Sequence, residues 1–205
     1  MKLAIVACDV LKPEIEFLTK DDPDFVHREY LEFALHEYGD VLKAKVLEAV
    51  NALEGKVDAV LIGYAVCQAL EGITKMVKVP AVSLPGADCI DALLTTPEYV
   101  REKEICAGTW FVSPGWAEAG VAGLMKEFHM DECPDIDMDI VMGMLFGSYE
   151  RCLFIDTGIG MTDYYREKSE KVAEELGLRH DCRTCNVNAI RDAIAKLKDL
   201  ARSLE

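Results

Sequence analysis

Three cysteines, Cys8, Cys67 and Cys89, carry the first chemistry the sequence suggests. Cys8 closes an apolar run over residues 3–8, and the other two follow the runs at 57–62 and 79–84 by a few residues. Such runs read as strands covered on both faces, and in an open α/β sheet ligands bind beyond the carboxyl ends of the strands. Three thiols distant in sequence are therefore expected at one edge. Cys67 and Cys89 also stand near expected helix starts, where unpaired amides favour thiolate. Three thiolates suit a soft metal such as zinc or an iron–sulfur cluster, [4Fe-4S] above all, with one iron left open. Two other readings stay beside that one: cysteine as a small buried hydrophobe, and a redox or nucleophilic thiol.

Cys182 and Cys185 form a C-x-x-C pair between a last strand and the final helix. Such a pair supplies metal ligands, works as a redox couple, or merely precedes a helix; here it could complete the ligand set of a cluster. Cys106, Cys133 and Cys152 read as structural. Asp88, Ser113, Trp116, Asp156 and Gly158 are expected at the same edge as the three thiols. Asp88 and His36 are the candidates to assist catalysis, although capping a helix explains Asp88, a surface position explains His36, and core filling explains Trp116. The Asp156-Thr157-Gly158 tripeptide resembles that of aspartic proteases, but the second copy and the all-β fold are missing. Gly158-Ile159-Gly160 opens like a dinucleotide fingerprint, yet Asp163 stands where the third glycine belongs. An anion-binding turn at the start of the following helix is the reading left for it.

The elements that must position these residues alternate in type. Apolar runs at residues 3–8, 57–62, 79–84, 109–112 and 152–155, and a segment at 25–33 that alternation through Val26, Arg28, Tyr30 and Glu32 assigns to a strand, are separated by stretches with helical spacing. Asp40 is expected to cap the helix carrying Leu42, Val46, Val50 and Leu53; Thr162 or Asp163 the helix that ends at Leu176. Residues 117–148 read as two helical pieces broken around Cys133-Pro134, and the last helix starts near Asn186. The expectation is one α/β domain over residues 1–205, mainly parallel: a Rossmann-like three-layer sandwich.

The 205 residues carry a formal net charge of −15, which argues against a general nucleic-acid binder and equally against docking on an anionic membrane. The amino terminus is too short in its apolar part for a signal peptide, and no stretch approaches the roughly 18 apolar residues that cross a bilayer. A cytoplasmic location is expected, with the eight cysteines reduced.

Several blocks together resemble an uncharacterised family, domain-of-unknown-function family 1638, from methanogenic archaea and anaerobic bacteria. They are Ala7-Cys8-Asp9-Val10-Leu11 with Pro13-Glu14, Leu61 through Cys67, Asp88-Cys89-Ile90, Thr109 through Trp116, and Ile155 through Gly158. The resemblance implies the same three cysteines. Its members often lie beside corrinoid methyltransferase genes, which implies an accessory protein or enzyme of anaerobic one-carbon metabolism. A small molecule or a corrinoid methyltransferase system would be the partner, and an oligomer is compatible with that role. A metal-free thiol enzyme and a regulatory partner of a methyltransferase are the alternatives. Ala87 stands where the family pattern usually has histidine, Gln68-Ala69 replaces a more glycine-rich turn, and the Cys182/Cys185 pair is additional. No Asp-x-His-x-x-Gly of a corrinoid carrier is present.

Overall fold

The computed structural model describes residues 1–32, 35, 38–65, 68–128, 130 and 137–204. Among them, seven strands alternate with eight helices, and every strand pairing is parallel. The expected α/β class is therefore the observed one. The strands divide between two sheets, and the chain forms two compact units: Met1–Thr95 with Val187–Glu205, and Thr96–Asn186.

The first unit contains β1 (Leu3–Cys8), α1 (Lys12–Thr19), β2 (Phe25–Leu31), α2 (Gly39–Asn51), β3 (Ala59–Ala65), β4 (Ala81–Leu84) and α3 (Cys89–Leu94). Its sheet has the order β2-β1-β3-β4. Every residue of β1 and β3 is buried, so this central pair is covered on both faces, as a layered Rossmann-like sheet requires. The run over residues 57–62 is expected to stop at Gly63 as a strand; the observed one continues through Tyr64 and Ala65, because parallel pairing persists past the glycine. A 3-10 turn at Gln68–Leu70 takes the place of the short helix expected after Cys67.

The second unit contains α4 (Thr96–Ile105), β5 (Thr109–Val112), α5 (Pro114–Glu127), α6 (Met138–Phe146), β6 (Arg151–Asp156), α7 (Thr162–Glu175) and β7 (Arg179–Thr184). Its sheet order is β5-β6-β7. The closing helix α8 (Asn188–Arg202) returns to the first unit. Ile190, Ala193, Leu197 and Ala201 recur at helical spacing and are buried where α8 packs on β3 and β4. Lys198 of the same helix pairs with Asp22 at 2.5 Å and Asp24 at 3.5 Å, which ties it to the turn before β2.

Two expected caps differ. Asp40 lies inside the first turn of α2, whose N-cap is Tyr38, so its carboxylate contributes only favourable charge near the helix start. The N-cap of α7 is Met161, because the Thr162 hydroxyl donates to Asp156 Oδ1 at 3.1 Å instead of accepting a helix amide. Helix α5 kinks at Gly120, which has φ 61°. The break expected around Cys133-Pro134 lies outside the described residues.

A buried ion network staples α4 to the second sheet. Arg151 Nη1 pairs with Glu102 Oε2 at 3.0 Å, Arg151 Nε donates to Thr109 Oγ1 at 2.9 Å, and Arg183 pairs with both Glu98 and Glu102. The side chains of Arg151 and Glu102 are only 5% and 7% exposed, so each charge depends on its partners. Replacing Glu102 with leucine should lower the stability measured by urea unfolding by about 3 kcal/mol, through uncompensated buried charge; a loss within error would contradict this.

His180 of β7 lies 2.8 Å from Ser169 Oγ through Nε2, and that hydroxyl donates its hydrogen to the Arg166 carbonyl. Burial lowers the His180 pKa below its usual value, aided by Arg166 and opposed by Glu170 and Asp181. The unfolded chain thus binds the proton more readily than the folded one. The stabilisation is full above the unfolded pKa of about 6.5 and is lost as pH falls below it toward the folded value. His180→Gln should flatten the fall in urea midpoint between about pH 7 and about pH 5; an unchanged slope would refute the assignment.

Candidate functional site

The order β2-β1-β3-β4 contains one reversal of direction. The chain steps from β1 outward to β2, then crosses back to place β3 on the other side of β1. Connections leaving β1 and β3 in opposite directions open a crevice beyond their carboxyl ends, the usual ligand position in such sheets. A pocket of about 180 Å³ lies there. Cys8 contributes from the end of β1; Gly63, Tyr64 and Ala65 from the end of β3; Ala87, Asp88 and Cys89 from the turn into α3; and Leu42 from α2.

Local sequence explains how each wall is held. Ala7 pairs with Gly63 across β1 and β3, and a Cβ on Gly63 would come within 2.3 Å of the Ala7 Cβ. Glycine at 63 therefore sets how closely the two strands approach. On its other side β3 slips against β4, with Ile62 opposite Ser83 but Ala65 opposite Leu84. The irregularity takes Gly63 and Tyr64 out of regular pairing, as bulges near functional sites do. Tyr64 is 8% exposed, and its buried hydroxyl has no hydrogen-bond partner among the described residues. Burial, with Cys8, Asp9 and Cys89 nearby, holds the phenol above its ordinary pKa, so it stays protonated.

The turn from β4 into α3 is fixed by reciprocal capping. Asp88 Oδ1 accepts from the Asp91 amide at 2.8 Å, and Asp91 Oδ2 accepts from the Ala87 amide at 2.7 Å. Gly86, at φ 101°, makes the turn possible next to the Asp91 carboxylate. Cys89 is thus presented, half-buried, as the first residue of α3. Cys8 is 6% exposed and its thiol points to Asp9 Oδ1 at 3.9 Å.

Of the residues singled out from sequence, Cys8, Asp88 and Cys89 come together in this pocket. Cys67 and His36 lie outside the described residues, as does Cys133. Among the described residues no group of three His, Cys, Asp or Glu side chains is placed to hold a metal ion. Ser113, Trp116, Asp156, Gly158, Cys182 and Cys185 belong to the second unit, whose sheet order has no reversal. There Ser113 caps α5 by accepting from the Trp116 amide at 3.4 Å, and Trp116 packs edge-on against Trp110. Asp156 accepts from the Gly158 amide at 3.0 Å, which closes the Asp-Thr-Gly turn.

Cys182 lies within β7, opposite Phe154, instead of following the strand. Cys185 extends that pairing by donating its amide to the Asp156 carbonyl at 2.8 Å. Three extended residues separate their Cα atoms by about 10 Å, beyond the span of a disulfide. Cys152 is fully buried and burial pushes its thiol up to about 12, which fits a structural role. Tyr64 is the site residue that sequence reasoning missed. A glycine inside an apolar run, directly before an aromatic, was its signal.

Residues 30–194, most of the chain, match the family described as Protein of unknown function (DUF1638). The matched span includes Tyr64, Asp88 and Cys89 and begins after Cys8. No curated protein and no solved structure matches the chain.

Gly63→Ala should destabilise the chain by about 2 kcal/mol through overpacking of β1 against β3, and Ala7→Gly in the same chain should recover part of that loss. Urea denaturation of the single and double variants checks both; additive losses would show that the Ala7–Gly63 contact is not the constraint.

Proposed function

The chain belongs to the DUF1638 family, whose description assigns no activity, and from that premise we propose that it binds an iron–sulfur cluster or a soft metal at the β1/β3 pocket. The supporting observation is that two thiols, Cys8 and Cys89, from distant parts of the sequence line one small pocket at the strand-order reversal. Cys67 is the proposed third ligand on sequence position alone, two residues after Ala65 of the pocket wall. The donor set fits the group: thiolates suit zinc or iron–sulfur centres. When bound, such a centre offers an open coordination position or a route for electrons. The protein's own part is to hold Cys8 on a strand locked by the Ala7–Gly63 contact and Cys89 on a turn locked by the Asp88–Asp91 cap. The family resemblance supports a place as accessory protein or enzyme in corrinoid-linked methyl-group metabolism.

A metal-free thiol enzyme is the second reading, favoured by the Cys8 thiol beside the Asp9 carboxylate, an arrangement of nucleophile and proton acceptor. Iron, zinc and acid-labile sulfide in protein prepared without oxygen separate the two. The proposal expects stoichiometric metal that is lost in Cys8→Ser and in Cys89→Ser but kept in Cys106→Ser, with circular dichroism confirming that all three fold. Metal-free wild-type protein of full stability, together with selective alkylation of Cys8 at neutral pH, would replace it with the second reading.

A further inference from the structure

We propose that helix α6 is a docking surface for a basic amphipathic helix of another protein. The surface belongs to the second unit and the β1/β3 pocket to the first, so it stands whatever the thiols bind.

Apart from Asp139, every residue of α6 is apolar or glycine. A helix apolar all round ordinarily lies inside a core or a bilayer. This one has nine residues, and no helix among the described residues is long and apolar enough to cross a membrane. Its last residue, Phe146, is buried, with the Trp110 and Tyr149 rings centred 5.4 and 5.2 Å from its own. Upstream of that anchor the helix is open. Ile140 and Met144, one turn apart, are 56% and 80% exposed, the latter more than any other large apolar side chain among the described residues. A Cβ on Gly143, between them, would meet nothing within 4 Å. Contiguous exposed apolar surface of this kind marks interaction sites.

Charge selects the occupant. Residues 128–150 hold six acidic residues and no lysine or arginine. Exposed Asp137, which caps α6 by accepting from the Ile140 amide at 3.4 Å, precedes the helix, and exposed Glu150 follows it. A second copy would bring the same carboxylates, on a chain of −15, against these. Area points the same way. A helix face about 14 Å long and about 10 Å wide falls well short of the roughly 800 Å² per partner that a stable interface between folded chains buries. A single partner helix meets both limits. Its apolar residues would lie along Ile140, Gly143 and Met144, and its lysines or arginines would face the carboxylates. Methionine side chains such as Met144 adapt readily to a partner's shape.

The test is fluorescence anisotropy of labelled peptides titrated with the full chain. One peptide has leucine and lysine at amphipathic helical spacing over about 14 residues, and the other has glutamate for each lysine. The lysine peptide should bind and the glutamate peptide should not. The double variant Ile140→Glu, Met144→Glu should weaken binding roughly tenfold, whereas Met76→Glu, at an exposed apolar position of the other unit, should leave it unchanged. Added carboxylates can only strengthen purely electrostatic attraction to the lysine peptide, so a loss confined to the α6 variant isolates apolar docking. Circular dichroism confirms that the variants fold. Absent binding, equal binding of the two peptides, or unchanged or tighter binding by the α6 variant would each overturn the proposal. A wild-type dimer in sedimentation that the α6 variant dissolves would assign the surface to a second copy instead, and adsorption to phosphatidylcholine vesicles lost in that variant would assign it to lipid.

Discussion

Where β3 lies against β1, Gly63 faces Ala7 so closely that any side chain at position 63 would collide with its neighbour. The residues that follow this pinned pair are Cys8 on one strand and Tyr64 on the other. A contact with no chemistry of its own thus fixes the position of two groups that have some. The strand order adds the second half of the constraint. Because β2 and β3 flank β1, the loops leaving β1 and β3 diverge and leave room beyond their ends. The capped turn before α3 then brings Cys89 and Asp88 to the same opening.

The second unit makes a useful contrast. Its three strands run in simple succession, and the residues at their carboxyl ends are engaged in holding turns and helices. Ser113 and Asp156 each satisfy backbone amides that would otherwise be orphaned, and Trp116 joins an aromatic cluster around Trp110. Charge is buried here too, in the Glu102–Arg151–Arg183 network, but its donors and acceptors answer one another. The pocket at β1/β3 differs in standing at a reversal of strand order, with two thiols in its wall.

Much of the fold was legible because apolar runs of strand length and amphipathic helical spacing are set locally. The runs ending at Cys8, Leu84 and Val112 end there in the structure as well. Division into two sheets was not legible, since strand pairing depends on contacts between residues far apart in sequence. The same limit hid the difference between Cys89, which reaches a reversal of strand order, and Cys182, which lies within a strand of the other unit. Tyr64 went unseen for a related reason: Gly63 resembled a strand end, whereas pairing with β4 resumes at Ala65 and makes the glycine part of a bulge. The choice of N-caps failed where a hydroxyl had a better partner, as Thr162 has in Asp156.

The most direct test of the central claim is anomalous diffraction at the iron and zinc edges from crystals grown without oxygen. One anomalous peak is expected beyond the carboxyl ends of β1 and β3, within bonding distance of the Cys8 and Cys89 sulfurs. Crystals with no such peak, or with a peak at Cys182 or Cys185 instead, would contradict it.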